Sequence, residues 1–517
     1  MTLDFKTYRD KVKGCWQGKN IGGVLGAPFE GKRQIVDVDF YTQDLSKGAP
    51  PNDDLDLQIV WLAAVERYGR NVNASVLGEY WLSFVIPNWV EYGTGKANMR
   101  AGLQPPLSGV VDNVYKDSDG CYIRSEIWAC LAPGHPEIAA KYAYEDAIVD
   151  HAGEGMYGEI FFAAVESAAF VESDKRKLIG IGLSYIPEKS VTAGAVKKAI
   201  ACYDGGVDFR EARKQIHNAA PGTFGVQSVP TPKIPKEGNE GLEIGAPGFD
   251  APENVAFTVA GWLYGGDDFG KSLCTAVRFG EDTDCTAATL GALMGIIAGD
   301  SGIPEKWKEP LNDEIATMCI DKTWGGIWVP KTCGELTDRI CQIMPSFLGL
   351  GLCGILPEGG VTIRCGEGDA LFCEQASDYR PYQNSFRDEL SVRQLCELSP
   401  YVVRYSFPAF SLYVDYGDSV GFRSGETRKI GVTVINAAAM REQQWVKITA
   451  YLPEGVRTVG SREVQLPLNN LYGSKAETEF ELDVSEYAPA KLEFVIDASL
   501  VGRHSSGPVK VTLMREK

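Results

Sequence analysis

The segment FGEDTDCTAATLGALMGIIAG, residues 279–299, constrains the fold of this chain more than any other. Glu281, Asp282 and Asp284 come directly before a run built almost entirely from small and apolar residues. Such a run predicts a helix buried on all sides. Carboxylates at the start of a buried helix are costly to desolvate unless a cation compensates them, and Arg278 is the only base close by in sequence. A bound divalent cation would supply the missing charge.

A second acidic group precedes another helical pattern, in NDDLDLQIVWLAA at residues 52–64. Taken alone, Asn52 would cap the helix, and the acids of the first turn would gain ~0.3–1 kcal/mol from the helix dipole. Taken together, the two acidic groups offer the oxygen ligands that magnesium or manganese prefers. We therefore expect Asp53 and Asp54 to meet Asp282 and Asp284 in the fold, and Asp56 to be an ordinary first-turn acid.

A third segment, GCWQGKNIGGVLGAPFE at residues 14–30, places a glycine at every fourth position and ends on an acid. Glycine at this spacing lets another backbone approach one face of a helix closely. Glu30 is then either a surface acid or a group that faces a ligand.

The pattern along the chain predicts two folded parts of different class. The sequence pattern of residues 1–345 predicts mainly helices that are rich in alanine and glycine, as in EIFFAAVESAAFV at 159–171. Residues 401–517 contain short alternating β-branched and aromatic runs separated by turn residues, which predict an accessory β-sandwich of immunoglobulin or fibronectin type. Residues 346–400 would connect the two. The loop at 221–254 is long enough to predict a functional role, as a wall of the site.

Composition limits the partners and the compartment. The net charge is −18 and the chain has no run of lysine and arginine that could follow a phosphate backbone, so nucleic acid is not an expected partner. No apolar run approaches the ~18 residues needed to span a bilayer, so no membrane is expected. Thirteen cysteines without CxxC pairs, and an N-terminus without an apolar h-region, favour a cytoplasmic protein with reduced thiols.

The three segments, in this order, resemble the ADP-ribosylglycohydrolase family. Its members carry a helix with glycine at every fourth residue followed by a glutamate, matched here by Gly14 to Glu30. They then carry Thr-Asp-Asp at a helix start, matched by residues 52–54, and Gly-x-Asp-x-Asp-Thr-x-Ala-Ala-x-x-Gly-Ala-x-x-Gly, matched by residues 280–295. The resemblance covers residues 10 to 345 and leaves the β-rich part outside.

This resemblance implies an all-α fold with a cleft that holds one or two magnesium or manganese ions. By position, the metal ligands fall on Asn52, Asp53, Asp54, Asp282, Asp284 and Cys285. The resemblance also implies that Glu30, or a metal-bound aspartate such as Asp54, acts as the catalytic base. His151, Glu154 and Tyr157 would line the substrate cleft, although a lone histidine such as His151 can equally be a packing residue.

The chain departs from the family pattern at three positions. Gly23 stands where the family usually has aspartate, Asn52 replaces threonine, and Cys285 replaces the late threonine. A thiol is a soft ligand and suits magnesium poorly. Either one metal position is altered or lost, or Thr286 or a water molecule compensates.

The expected reaction is hydrolysis of an ADP-ribosyl N- or O-glycosidic bond in a small-molecule or protein-linked substrate. Such bonds break through an oxocarbenium-like transition state, with carboxyl groups that donate a proton and activate water, and a divalent metal can assist. Two alternatives remain at this point: hydrolysis of another small glycoside or nucleoside-like substrate on the same fold, and a non-catalytic structural role like that of the family's crystallin members. The oligomeric state and the leaving group are not determined by the sequence.

Overall fold

The protein is described by a computed structural model that covers residues 1–220, 248–323, 325–349, 351–355, 360–373, 390–436, 442–471 and 473–516. These residues form a helical N-terminal part followed by a strand-rich C-terminal part, which confirms the predicted fold class. The described helices are α1 Phe5–Gly26, α2 Asp56–Tyr68, α3 Ala74–Phe84, α4 Val90–Arg100, α5 Leu107–Val110, α6 Glu126–Leu131, α7 Pro136–Ala147, α8 Glu154–Ala169, α9 Lys175–Tyr185, α10 Val191–Asp204, α11 Phe209–Ala219, α12 Ala251–Gly265, α13 Phe269–Arg278, α14 Thr283–Ala298, α15 Glu305–Lys308, α16 Cys333–Leu348 and α17 Val392–Cys396.

Helices α1 and α14 lie antiparallel at the centre of the helical part and touch through their backbones. Gly14 faces Gly295, Gly18 faces Gly291, and the N-terminal end of α14 lies against Gly26. A Cβ added at any of these glycines of α1 would meet backbone atoms of the partner well inside 3.0 Å. The fourfold glycine spacing is therefore required by this close approach. It also brings the end of α1 to the start of α14.

The remaining helices surround this pair and bury its outer faces. One continuous hydrophobic core includes Trp16, Trp61, Trp128 and Trp262, all at most 2% exposed. The described part of the chain contains no helix that is both long and apolar enough to cross a membrane.

The region between the two parts packs on the helical core. Helix α16 continues to Leu348, and the strands β2 Cys353–Ile355 and β3 Val361–Arg364 form a small antiparallel sheet with β1 Thr2–Asp4, in the order β1-β3-β2. Ile363 and Leu395 are buried in the same core as the central helices. Residues 374–389 of this region lie outside the described residues.

In its described residues, the C-terminal part forms two five-stranded sheets, with the orders β10-β8-β12-β13-β6 and β4-β5-β7-β11-β9. Its strands are β4 Val402–Ser406, β5 Ser411–Asp415, β6 Gly421–Phe422, β7 Thr427–Ile435, β8 Gln444–Tyr451, β9 Val456–Thr458, β10 Glu463–Leu468, β11 Lys475–Val484, β12 Lys491–Leu500 and β13 Ser506–Arg515. Alternate residues of β11 and β12 are buried, and they form a second hydrophobic core between the sheets. All pairings are antiparallel except that of β13 with β6.

The helical part contributes side chains to this second core. Leu103 and Leu107, at 2% and 1% exposure, belong to the same cluster as the inner residues of the sheets. Arg404 of β4 pairs with Glu145 of α7. The sandwich is therefore packed against the α4–α5 region by apolar contacts and joined to α7 by an ion pair.

Candidate metal centre

The start of α14 gathers three potential ligands. Oxygen atoms of Asp282 and Asp284 and the sulfur of Cys285 all lie within 4.8 Å of one another. Asp282 precedes the helix, and the other two occupy its first turn, where free backbone N–H groups favour negative charge. Thr283 Oγ1 donates to Gly26 O at 2.8 Å, which fixes this turn to the end of α1.

Asn52 connects the second acidic group to the first. Helix α2 begins only at Asp56, so the interpretation of Asn52 as its N-cap is wrong. Instead, Asn52 Oδ1 accepts the backbone N–H of Asp54 at 2.8 Å, and Asn52 Nδ2 lies 3.4 Å from Asp284 Oδ2. The structure thus joins two groups that are about 230 residues apart in sequence.

Two of the departures from the family pattern occur side by side. A Cβ added at Gly23 would lie 2.9 Å from Asn52 Nδ2, so the missing side chain at Gly23 leaves room for the Asn52 amide. The exchanges at positions 23 and 52 are therefore one local change in the wall of the centre.

Several carboxylate oxygens of the centre are buried but accept no hydrogen bond from the described residues. Asp54, Asp282 and Asp284 are 2%, 4% and 4% exposed. Both oxygens of Asp54, and Oδ1 of Asp282 and of Asp284, have no hydrogen-bond partner among the described residues. Buried oxygens of this kind are costly, and a cation bound among them would compensate that cost. The carboxylate oxygens suit a divalent cation such as magnesium or manganese, whereas the Cys285 sulfur in the same group suits magnesium poorly.

Burial and mutual repulsion shift the acids toward the protonated form. Burial, with the charge of its neighbour Asp54, raises the pKa of Asp53 to about 6, and burial raises the pKa of Asp54 to about 6 as well. Burial raises the pKa of Asp282 and Asp284 well above the usual range, and the neighbouring acids add to this. A cation would reverse these shifts because it favours the charged carboxylates.

Lys19 is a buried cation close to the centre, but its charge already has a partner. Lys19 Nζ lies 2.7 Å from Glu126 Oε1, and both side chains are fully buried. Glu126 Oε2 also accepts from Gln58 Nε2 at 2.9 Å. Lys19 lowers the pKa of Asp54, yet burial still dominates. A single lysine that already pairs with Glu126 does not neutralise the charges of the several acids in the centre.

Asp119 joins the cluster, and the sequence analysis missed it. Asn254 connects it to the centre, because Asn254 Nδ2 donates to Asp119 Oδ2 at 2.8 Å and Asn254 Oδ1 accepts the N–H of Asp282 at 3.2 Å. After burial, the charge of Asp119 is the next cause of the raised pKa of Asp282. The available signal was DSDG at 117–120, which repeats the two-residue spacing of Asp282 and Asp284.

Glu281 belongs to an ion-pair network instead of the metal centre. Its carboxylate lies 3.0 Å from Arg33 Nε and 3.2 Å from Arg213 Nη2 and accepts the N–H of Gly248 at 2.8 Å. Its φ of +66° is unusual for a residue other than glycine. This conformation turns Glu281 toward the arginines at the junction that precedes Asp282.

A comparison with known protein families identifies the family of this chain. The sequence model of the family described as ADP-ribosylglycohydrolase matches residues 4–340. The chain belongs to the ADP-ribosylglycohydrolase family. Membership in this family supports activity as a glycosidic-bond hydrolase. Residues 401–517, the predicted accessory part, lie beyond the match.

Solved structures give a weaker likeness. Sixty-four chains match. One is a chain of an "ADP-ribosylglycohydrolase-related protein complex", at 18% identity and a TM-score of 0.41, and the match covers 66% of this chain and 99% of that one. The comparison with curated proteins gave no match.

Glu30, the predicted catalytic glutamate of this family member, lies near Asp53 of the second acidic group. It is solvent-exposed and follows the end of α1. Partial desolvation and the charge of Asp53 raise its pKa. Glu30 is therefore an exposed acid near the acidic cluster.

Asp56 is not the ordinary first-turn acid that the sequence analysis expected. It is fully buried, and its Oδ2 accepts the N–H groups of Met318 and Cys319, both at 2.6 Å. Burial raises the pKa of Asp56 to about 7. It anchors the 318–319 segment beside α2.

The three residues predicted to line the substrate cleft have structural partners. His151 is fully buried, with Nε2 3.0 Å from Ser118 Oγ and Nδ1 2.9 Å from Asp150 Oδ1. Glu154 caps α10 by accepting the N–H groups of Val191 and Thr192, both at 2.9 Å. Tyr157 is half-buried in the helical core. Their contact with substrate stays a prediction, as does the role of the 221–254 loop, of which 221–247 lies outside the described residues.

Proposed function

We propose that the chain is a metal-dependent hydrolase that cleaves an ADP-ribosyl N- or O-glycosidic bond. The observation that carries this proposal is the set of buried, unpaired carboxylate oxygens on Asp54, Asp282 and Asp284. A purely structural member of the family would have no need to keep such a costly arrangement.

The residues that would hold the cation are Asp54, Asp282 and Asp284, with Asp53 and the Asn52 amide oxygen at the rim. The match to the family, and not the described contacts, suggests the last two. A bound divalent cation lowers the pKa of a coordinated water and orients sugar hydroxyls. The proposed centre holds one or two such ions.

Glu30 would move the proton. Its raised pKa suits a group that accepts a proton from the attacking water or gives one to the leaving group. Its exposure lets a substrate reach it, whereas Asp54 is buried at the floor of the centre. Asp54 is the alternative base that the family pattern suggests.

A second candidate is a hydrolase of another small glycoside on the same centre. It is favoured by the paired exchange at Gly23 and Asn52, which changes the wall beside Asp284. A glycoside that carries a different group beside Gly23 and Asn52 would then be cleaved at its glycosidic bond by the same carboxylates.

The test is hydrolysis by the EDTA-treated full chain, with and without Mg²⁺ or Mn²⁺, of ADP-ribosyl-arginine, ADP-ribosyl-serine and a panel of simple glycosides. We expect release of ADP-ribose only with metal, and loss of both metal binding and activity in Asp284→Asn. Asp37→Asn, the same charge change at a fully exposed side chain, is the matched control. Turnover of glycosides alone would favour the second candidate. Absence of metal binding and of all turnover would support the crystallin-like alternative.

A further inference from the structure

Cys285 stands among the carboxylates of the centre, at a position where the family motif has a hydroxyl. Its sulfur and oxygens of Asp282 and Asp284 lie within 4.8 Å of one another, and Cys285 is 8% exposed. We propose that Cys285 Sγ is a metal ligand of this centre, and that the centre consequently takes a borderline cation, Zn²⁺ or Co²⁺, in preference to Mg²⁺. The inference rests on the metal centre of the proposed function.

The surrounding groups complete a donor set around the sulfur. Oxygens of Asp54, Asp282 and Asp284 are buried without hydrogen-bond partners among the described residues. Two carboxylates and one sulfur give three protein donors, the number that zinc keeps in sites that leave a fourth position open to water or substrate. The thiol proton passes to solvent as the metal–sulfur bond forms.

The chemistry of the donors decides between cations. Magnesium requires a nearly octahedral shell of oxygen ligands and keeps several waters, whereas a thiolate favours zinc and similar ions. The neighbouring hydroxyl, Thr286 Oγ1, donates to Thr283 O within the helix at 3.2 Å, so its hydrogen bond is made inside the helix and not to the acids of the centre. The sulfur is therefore the group that the first turn of α14 presents in place of the hydroxyl.

The first experiment is a Co²⁺ titration of the reduced, EDTA-treated full chain, followed by near-ultraviolet absorption. We expect a thiolate-to-cobalt charge-transfer band in the wild type that Cys285→Ser and Cys285→Thr lose. Cys202→Ser is the matched control, since Cys202 is a buried thiol on α10 whose neighbour is Gln215. A band that persists in both Cys285 variants would overturn the inference.

The second experiment is calorimetric titration with Zn²⁺, Co²⁺, Mn²⁺ and Mg²⁺. We expect the ratio of the Mg²⁺ to the Zn²⁺ dissociation constant to fall by at least about tenfold in Cys285→Thr, because even the loss of a supporting group near a metal costs 10–100-fold in affinity. An unchanged ratio would overturn the inference.

X-ray absorption on the zinc-loaded wild type needs no variant. We expect one sulfur at ~2.3 Å in a shell otherwise made of oxygen at ~2.0–2.2 Å. A shell of oxygen alone would overturn the role of Cys285. If the wild type bound none of the four cations, the metal centre of the proposed function would fail too. If Mg²⁺ bound in an Asp284-dependent manner whatever residue stood at 285, only the present inference would fail.

Discussion

Replacing Gly291 with alanine tests the contact on which the whole centre depends. The added Cβ would meet the carbonyl oxygen of Gly18 well inside 3.0 Å. No side-chain rotation can relieve a collision with backbone, so α14 must move away from α1. Because Asp282 and Asp284 sit at the start of α14, this movement also disturbs the ligands.

The expected change in the free energy of unfolding is the sum of two opposing effects. Inserting a methylene into a well-packed interior costs ~1–3 kcal/mol, and a clash with backbone belongs at the upper end. Alanine in place of glycine inside a helix returns ~0.8–1.0 kcal/mol. We expect Gly291→Ala to lower the free energy of unfolding by about 2 kcal/mol. Gly194→Ala in α10 is the matched control, since nothing lies within 4 Å of the added Cβ. It should stabilise the chain by roughly 1 kcal/mol.

Urea unfolding followed by tryptophan fluorescence is the assay. Nine of the ten tryptophans precede residue 400, so the signal reports chiefly on the helical part. The shift in midpoint is the readout, because a chain with two hydrophobic cores need not unfold in one step. If Gly291→Ala raised the midpoint as Gly194→Ala does, the backbone contact between α1 and α14 would not exist as described.

Three further predictions concern charge and packing. The raised pKa values of Asp54, about 6, and Asp56, about 7, mean that the metal-free folded chain keeps protons that the unfolded chain releases near pH 4. Its melting temperature in EDTA should therefore fall as the pH rises from 4 to 7, and the fall should be smaller in Asp56→Asn. A wild-type melting temperature that does not change over this pH range would contradict the prediction. Lys19→Met should lower the free energy of unfolding in urea by about 3–5 kcal/mol, because it leaves the buried Glu126 charge unpaired. Adding Glu126→Gln should recover most of this loss, whereas additive losses would argue against the pairing. Leu107→Ala should cost about 2–5 kcal/mol and make the sandwich more sensitive to limited proteolysis, and unchanged digestion would exclude Leu107 from its core.

The order of the two parts and the two central helices, though not their pairing, were predictable from local pattern. The glycine spacing of α1 and the small residues of α14 each specify a helix with a closely packed face, whatever the rest of the chain does. Alternation along β11 and β12 likewise reports which face of each strand is buried. The sequence shows the exchanges at Gly23 and Asn52 as two separate departures from the family pattern. Only the contact between the two residues in the fold shows that they form a single local change.

The sequence by itself determined that acids would stand at the starts of two helices, because backbone hydrogen bonding and hydrophobic periodicity are local properties. Only the tertiary structure decided what each acid does. Asp54, Asp282 and Asp284 converge without partners, while Glu281 meets two arginines and Asp56 binds the backbone at 318–319. Asp119 enters the cluster from a different segment through Asn254. A carboxylate's role depends on which distant groups reach it, and that is settled by long-range packing, since neighbours in space need not be neighbours in the chain.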